Sequence, residues 1–172
     1  MDQEMRTILW QQFGAAIDMF GNAVRACPEE VWRVRLWRAQ PEYAGFAEFW
    51  CIASHTLFWL DLYLSGSDEG FTPPPPFGLE ELDPAGALPP RVYTQAELLA
   101  YLDHCRAKCK NAILELTDEQ AQRICTFGKR QMSYAELLLY TMRHVQEHGA
   151  QLSMALGQST GYNPGWVAKA RE

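Results

Sequence analysis

The stretch from Ser133 to Leu156 limits the fold of this chain more than any other part of it. Ser133 stands three residues before Glu136, the capping-box pattern of a helix start, and no proline interrupts the stretch. A helix here gathers apolar residues into one stripe: Leu138, Met142, Val145, Leu152 and Leu156. His144 and His148 stand four residues apart, so both imidazoles lie on one helix face beside that stripe. The pattern predicts a long amphipathic helix with a histidine pair at the edge of its buried side.

Three other segments repeat the apolar spacing of amphipathic helices, and they cover about residues 2–26, 43–65 and 94–116. The second of these segments ends at Ser65-Gly66, a typical helix terminus. Thr94 and Glu97 form a second capping-box pattern at the start of the third segment. Together with the stretch above, these segments predict four long helices.

Seven of the ten prolines lie between residues 66 and 93. We interpret this segment as a long, irregular crossover, because neither half of the chain looks able to complete a hydrophobic core alone. Its run from Pro73 to Pro76 has an alternative interpretation as a polyproline ligand for a partner. Four long helices with a long second connection predict an all-α fold. We expect one domain over residues 1–172, a four-helix bundle that is not simply up-down-up-down.

The shorter segments carry weaker signals. Residues 123–131 are predicted to be extended, with a bend at Gly128. In the C-terminal tail we expect Tyr162 and Trp166 to fold back onto the bundle.

Charge and composition exclude several classes of protein. The net charge of −6 argues against a nucleic-acid partner. No window approaches the roughly 20 apolar residues of a membrane span, and the N-terminal residues do not read as a secretion signal. The five cysteines include no CxxC pair, which fits reduced thiols. We therefore expect a cytoplasmic protein.

The chain has only four histidines, and helical geometry separates them. His55 shares a helix face with apolar residues, so it points inward with His144 and His148. His104 lies about 120° from the apolar stripe of its helix and is predicted to face solvent. Three imidazoles inside a bundle need partners for their ring nitrogens, and a divalent cation supplies them while keeping a coordination position open. The alternative is a set of hydrogen-bonded core histidines without a metal.

The sequence HVQEH, residues 144–148, also matches the H-x-x-E-H motif of inverted zinc peptidases. That interpretation makes Glu147 a general base and requires an acidic ligand well downstream. The only acid after His148 is Glu172, at the end of the chain, and Glu147 lies on the outward margin of its helix. We therefore reject the peptidase interpretation.

Cys105 and Cys109 also stand four residues apart, but they lie on the apolar stripe of their helix. We interpret them as buried thiols.

The combination resembles the DinB/YfiT-like superfamily. The resemblance rests on a lone histidine in the second helix (HTLFWLDLYL), the long crossover, and an H-x-x-x-H pair followed by Gly-Ala-Gln-Leu. It implies a four-helix bundle with a crossover connection, frequently dimeric, and a divalent metal held by three histidines, here His55, His144 and His148. Gln151 matches a polar position that often follows the pair. Characterised members include thiol-dependent transferases and isomerases that use the metal to activate a low-molecular-weight thiol.

The first functional hypothesis is a metal-dependent enzyme, a thiol-dependent transferase or one with hydrolase-like activity, acting on a small molecule. Zinc or nickel is the expected metal, with iron or manganese as further candidates. Tyr140 and Gln151, one turn either side of the histidine pair, are candidates for orienting substrate. We expect a homodimer. The alternative hypothesis is a non-catalytic ligand-binding or dimerising bundle of DinB type.

Overall fold

A computed structural model describes residues 2–171 of the chain, so Glu172 lies outside the described residues. Five α-helices and one β-hairpin make up the regular structure. Their bounds are α1 (Gln3–Ala26), α2 (Phe49–Ser65), α3 (Gln95–Leu114), α4 (Asp118–Gln122), β1 (Ile124–Phe127), β2 (Arg130–Ser133) and α5 (Tyr134–Thr160). Short 3-10 helices occupy Glu29–Val31, Pro41–Ala47 and Glu80–Leu82.

The helix starts follow the capping pattern of the sequence. Thr94 accepts a hydrogen bond from the backbone N–H of Glu97, and the Glu97 carboxylate accepts one from the backbone N–H of Thr94. Ser133 accepts one from the N–H of Glu136 at the start of α5. Gly66 ends α2 with a φ of 72°, a left-handed conformation that costs glycine little. Local capping therefore sets most of the helix boundaries.

Helix α2 begins six residues later than the predicted position 43, because the chain before it pairs with another segment. The backbone N–H groups of Phe49 and Trp50 donate to the carbonyls of Val34 and Trp32. Arg33 also donates to the carboxylate of Glu48, with an Nε–Oε2 distance of 2.9 Å. These contacts hold the connector against the start of α2, so residues 41–47 form a 3-10 helix instead. At the other end of the chain, α5 continues four residues beyond Leu156.

The helix directions follow from contacts at the helix ends. Gln95 at the start of α3 donates to the carbonyl of Val24 near the end of α1, so α1 and α3 run antiparallel. Tyr134 at the start of α5 donates to the carbonyl of Leu64 at the end of α2, so these two also run antiparallel. Each of α1 and α2 packs against both α3 and α5. Helices α2 and α3 are therefore neighbours, and the crossover connects them.

Helices α2 and α3 run in the same direction. Leu57 of α2 accepts a hydrogen bond from Cys105 of α3, and Ser65, two turns later in α2, accepts one from Lys108. A connection between parallel neighbours must return along the whole of α2, whose 17 residues span about 26 Å. The long proline-rich crossover supplies that length. The predicted all-α bundle with a long crossover is thus confirmed, and the structure shows that its four long helices run in up-down-down-up order.

The prediction for the tail is wrong. Tyr162 and Trp166 are 54% and 75% exposed. The chain returns to the bundle later, where the N–H of Ala170 donates to the carbonyl of Gln11 and the N–H of Arg171 donates to Asp18. The tail is therefore held by backbone hydrogen bonds to α1, which the aromatic content of the sequence did not indicate.

The hydrophobic core fills the space between the four long helices. Cys105 and Cys109 are fully buried within it, as their place on the apolar stripe predicted.

The segment 123–131, predicted to be extended, forms most of a hairpin in which Phe127 pairs with Arg130 across a two-residue turn at Gly128. Within residues 2–171, no helix combines the length and apolar character needed to cross a membrane.

Candidate metal centre

The antiparallel packing of α2 on α5 brings three histidines together. The Nε2 atom of His144 lies 3.3 Å from Nε2 of His55 and 3.1 Å from Nε2 of His148. One ring nitrogen from each residue lies within 4.8 Å of those of the other two. His104 is 47% exposed on α3 and lies outside this group. The partly buried three-histidine cluster predicted from the helical faces is therefore present.

The spacing of these nitrogens matches what a cation requires. Nitrogen ligands at 2.0–2.1 Å from a tetrahedral metal lie about 3.3 Å from one another. The two measured Nε2–Nε2 distances are 3.1 and 3.3 Å. The cluster is consistent with a metal site without movement of the helices.

In His55 and His148, the hydrogen-bond partner of the Nδ1 atom determines which ring nitrogen carries the proton. Nδ1 of His55 lies 2.7 Å from a carboxylate oxygen of Glu81, and an ionised carboxylate only accepts. Nδ1 of His148 lies 2.8 Å from Oε1 of Gln151, also an acceptor. Both Nδ1 atoms therefore carry hydrogen, and both Nε2 lone pairs point into the cluster. Metal-binding histidines take this arrangement, with a carboxylate or carbonyl behind the ring.

Nε2 of His144 faces the Nε2 lone pairs of both His55 and His148. Without a cation, only a single hydrogen, on Nε2 of His144, would be available to bond with these two lone pairs. Burial, with His148 and His55 nearby, lowers the pKa of His144 to about 3, and burial also lowers the pKa of His148. These two rings are thus neutral at pH 7, the state in which imidazole binds a metal. Among residues 2–171, Nδ1 of His144 has no hydrogen-bond partner, and a cation bound at Nε2 does not supply one.

A cavity of about 350 Å³ opens onto the cluster. Its wall is formed by the three histidines together with Trp59, Tyr63, Glu81, Arg130 and Tyr140. Trp59 donates its Nε1–H to the same Glu81 oxygen that contacts His55, at 2.8 Å.

A second cavity of about 350 Å³ lies on the crossover side, and Cys51 lines it. Burial raises the pKa of the Cys51 thiol to about 12, so it stays protonated and is not a nucleophile at neutral pH.

The two predicted catalytic residues occupy different positions. Tyr140 lines the cavity beside the histidines. Gln151 contacts His148 directly, so its amide oxygen is already engaged in holding that ring. Their action on a substrate stays a prediction. Glu147 is exposed on α5, in keeping with the rejection of the peptidase interpretation.

Sequence reasoning missed Glu81 and Arg130. Glu81 lies in the crossover 26 residues after His55, and Arg130 lies in the hairpin, where no helical period relates either to the histidines. The acidic content of the crossover was visible, but it did not single out one carboxylate. Only the path of the chain brings these two side chains to the cavity.

Comparison with known proteins supports the family resemblance. A search of curated proteins found no match to the chain. The family model of the DinB superfamily matches residues 12–152, a span that includes α2, the crossover, α3 and all three clustered histidines. Because this match covers most of the chain and agrees with the bundle topology, the chain belongs to the DinB superfamily.

Proposed function

We propose that this protein is a metal-dependent enzyme whose cation is held by His55, His144 and His148. One observation carries the proposal: two Nε2 lone pairs, fixed by the Glu81 and Gln151 contacts, point at the third ring. Nitrogens that face one another in this way require a shared cation or proton. A cation satisfies all three, whereas one proton must be shared between two contacts.

Zinc or nickel is the proposed metal, with iron as a further candidate, because imidazole suits each of these metals. Manganese is the remaining candidate, although it prefers oxygen ligands. When bound, such a cation supplies a Lewis acid that lowers the pKa of a water or a thiol and so provides a nucleophile near neutral pH. Three protein ligands leave a position open for that group, which is the pattern of catalytic centres.

The side chains around the cluster have separate tasks in this proposal. Glu81 and Gln151 hold the rings of His55 and His148 in their metal-binding orientation. The ring of Trp59 lines the cavity and limits the access of bulk water. Tyr140 presents a hydroxyl that orients the substrate by hydrogen bonding.

The reaction class is proposed from the family resemblance together with the cavity. Thiol-dependent transfer, or a hydrolase-like reaction with water in place of the thiol, fits an open cation site. A cavity of about 350 Å³ suits a small molecule. A cytoplasmic location and a homodimer are further parts of the proposal, and size-exclusion chromatography with light scattering tests the dimer.

Metal analysis of the purified protein tests the central claim. We expect one equivalent of a divalent metal per chain in the wild type and loss of most of it in His144→Ala, because two ligands do not retain the ion. His104→Ala is the matched control, since His104 is exposed and outside the cluster. Equal metal content in wild type and His144→Ala, with circular dichroism showing both folded, would overturn the assignment.

The alternative function, a non-catalytic ligand-binding or dimerising bundle, makes a different prediction. In that case the metal is bound, but a panel of thiols and electrophiles yields no turnover. Histidines that only hydrogen-bond in the core would bind no metal at all. Metal analysis followed by thiol-transfer assays therefore separates the three functions.

A further inference from the structure

The hairpin before α5 carries an arginine to the mouth of the histidine cavity. Arg130 is the first residue of β2 and pairs with Phe127 of β1. Gly128 has a φ of 58°, which lets the two-residue turn close. The ring of Phe127 packs edge-on against Tyr63 of α2, with 5.0 Å between the ring centroids. The hairpin is therefore anchored to the bundle beside the cluster.

Aromatic residues hold the guanidinium of Arg130 at the cavity wall. Its Nη1 lies 3.4 Å from the hydroxyl of Tyr63, to which it donates. Its Cζ lies 6.0 Å from the centroid of the Tyr140 ring, within cation–π range. Both tyrosines line the same cavity as the histidines. Neither tyrosine is a carboxylate, so these contacts position the guanidinium of Arg130 without pairing its positive charge with an acid.

The ion pairs within residues 2–171 include no carboxylate partner for Arg130. Exposed arginines such as Arg123 and Arg143 also have none there, so what distinguishes Arg130 is that its side chain lines the histidine cavity. Glu81, the acid of this cavity, already accepts hydrogen bonds from His55 and Trp59. A free guanidinium in a cleft is a preorganised partner for an anion.

We infer that Arg130 binds a carboxylate group of the small molecule that occupies this cavity, and so selects anionic ligands. The inference rests on the proposed function, because the other end of that molecule then lies at the histidine cluster. A single guanidinium balances the single charge of a carboxylate. A doubly charged phosphate would also face the Glu81 carboxylate in the same wall, which disfavours it.

Calorimetric titration of the zinc-loaded protein tests this selectivity with two matched pairs of probes. The first pair is 3-mercaptopropionate and 2-mercaptoethanol, which differ in the carboxylate of a thiol. The second is propionate and propionamide, which differ in the single carboxylate of a molecule without a thiol. We expect the wild type to prefer the anion in at least one pair. Arg130→Gln should weaken binding of that anion about tenfold and leave the neutral probe unchanged.

Lys129→Gln is the control, because it removes the neighbouring positive charge at the exposed turn of the same hairpin. Its binding should match the wild type. A preference for the anion in the first pair indicates that the carboxylate belongs to the thiol. A preference for the anion in the second pair indicates that it belongs to the other small molecule of the reaction. No preference in either pair, or equal losses in Arg130→Gln and Lys129→Gln, would overturn the inference. If Arg130→Gln does not fold, Arg130→Met replaces it in the same titrations, with the same expected loss of anion binding.

The same samples distinguish this inference from the proposed function. Metal analysis of the protein before titration shows whether the cluster holds zinc. If it does not, the proposed function fails, while propionate and propionamide still report on Arg130. If zinc is bound and no anion preference appears, the inference about Arg130 fails alone.

Discussion

Glu81 shows how a single side chain controls the cluster without belonging to it. Its Oε2 accepts hydrogen bonds from both His55 and Trp59, at 2.7 and 2.8 Å. A carboxylate behind a ligating histidine fixes the ring orientation and raises the basicity of the other nitrogen. The metal affinity of the site is therefore expected to depend on a residue that never touches the metal.

The variant Glu81→Gln tests this dependence. It keeps the shape and an acceptor oxygen but loses the negative charge, so we expect the affinity for zinc to fall about tenfold. Competition with a chromophoric chelator measures the affinity. Glu80→Gln, on the same 3-10 turn, is the control and should bind zinc like the wild type. Unchanged affinity in Glu81→Gln would show that the contact with His55 does not support the metal.

At the scale of one element, the start of α3 carries a complete capping box. Glu97 accepts hydrogen bonds from Arg91 and from the backbone N–H of Thr94. These contacts, led by the Arg91 hydrogen bond, lower the pKa of Glu97 from 4.5 to about 2. Because the folded-state pKa is the lower one, ionised Glu97 stabilises the fold fully above about pH 4.5, and the contribution is lost as the pH falls toward 2.

Urea unfolding of Glu97→Gln as a function of pH tests this contribution. We expect the variant to be less stable than the wild type at pH 7 by at most about 1 kcal/mol, since solvent screens the ion pair. The difference should shrink between pH 4.5 and 2. Glu115→Gln, which removes a carboxylate outside the capping box at the opposite end of α3, is the control variant. A difference that stays constant with pH would contradict the role of the carboxylate.

At the scale of the whole molecule, a buried polar network joins the parallel helices α2 and α3. Asp61 is 1% exposed and accepts hydrogen bonds from Tyr101 at 3.0 Å and from Lys108 at 2.6 Å. Lys108 also reaches Ser65. Parallel neighbours have no short loop to align them, so this network is expected to fix their register.

Replacing Asp61 with alanine removes the buried carboxylate that accepts hydrogen bonds from the Tyr101 hydroxyl and the Lys108 ammonium. Lys108 then keeps only neutral acceptors, the backbone oxygen of residue 61 and the Ser65 hydroxyl. We expect Asp61→Ala to lower the free energy of unfolding by about 3 kcal/mol. Asp103→Ala, an exposed change on α3, should alter it by less than about 0.5 kcal/mol. Urea denaturation monitored by circular dichroism measures both. Similar stabilities for the two variants would show that the network contributes little.

The long helices, most of their ends and the three clustered histidines could be predicted from the residues alone. Helical period and capping are properties of residues only three or four positions apart, such as Thr94 with Glu97. The inward face of His55 followed from the same period, as did the exposure of His104. The all-α bundle with its long crossover also followed, because the lengths of the segments allowed few other arrangements.

The residues from irregular segments that reach the cluster could be identified only from the folded chain. Glu81 in the crossover and Arg130 in the hairpin have no period that relates them to His55 or His144. The tail likewise docks through the backbone N–H of Ala170 while Trp166 stays exposed. Such contacts depend on the path of the chain between the helices. That path is set by long-range packing and hydrogen bonds, which are not encoded in the spacing of neighbouring residues.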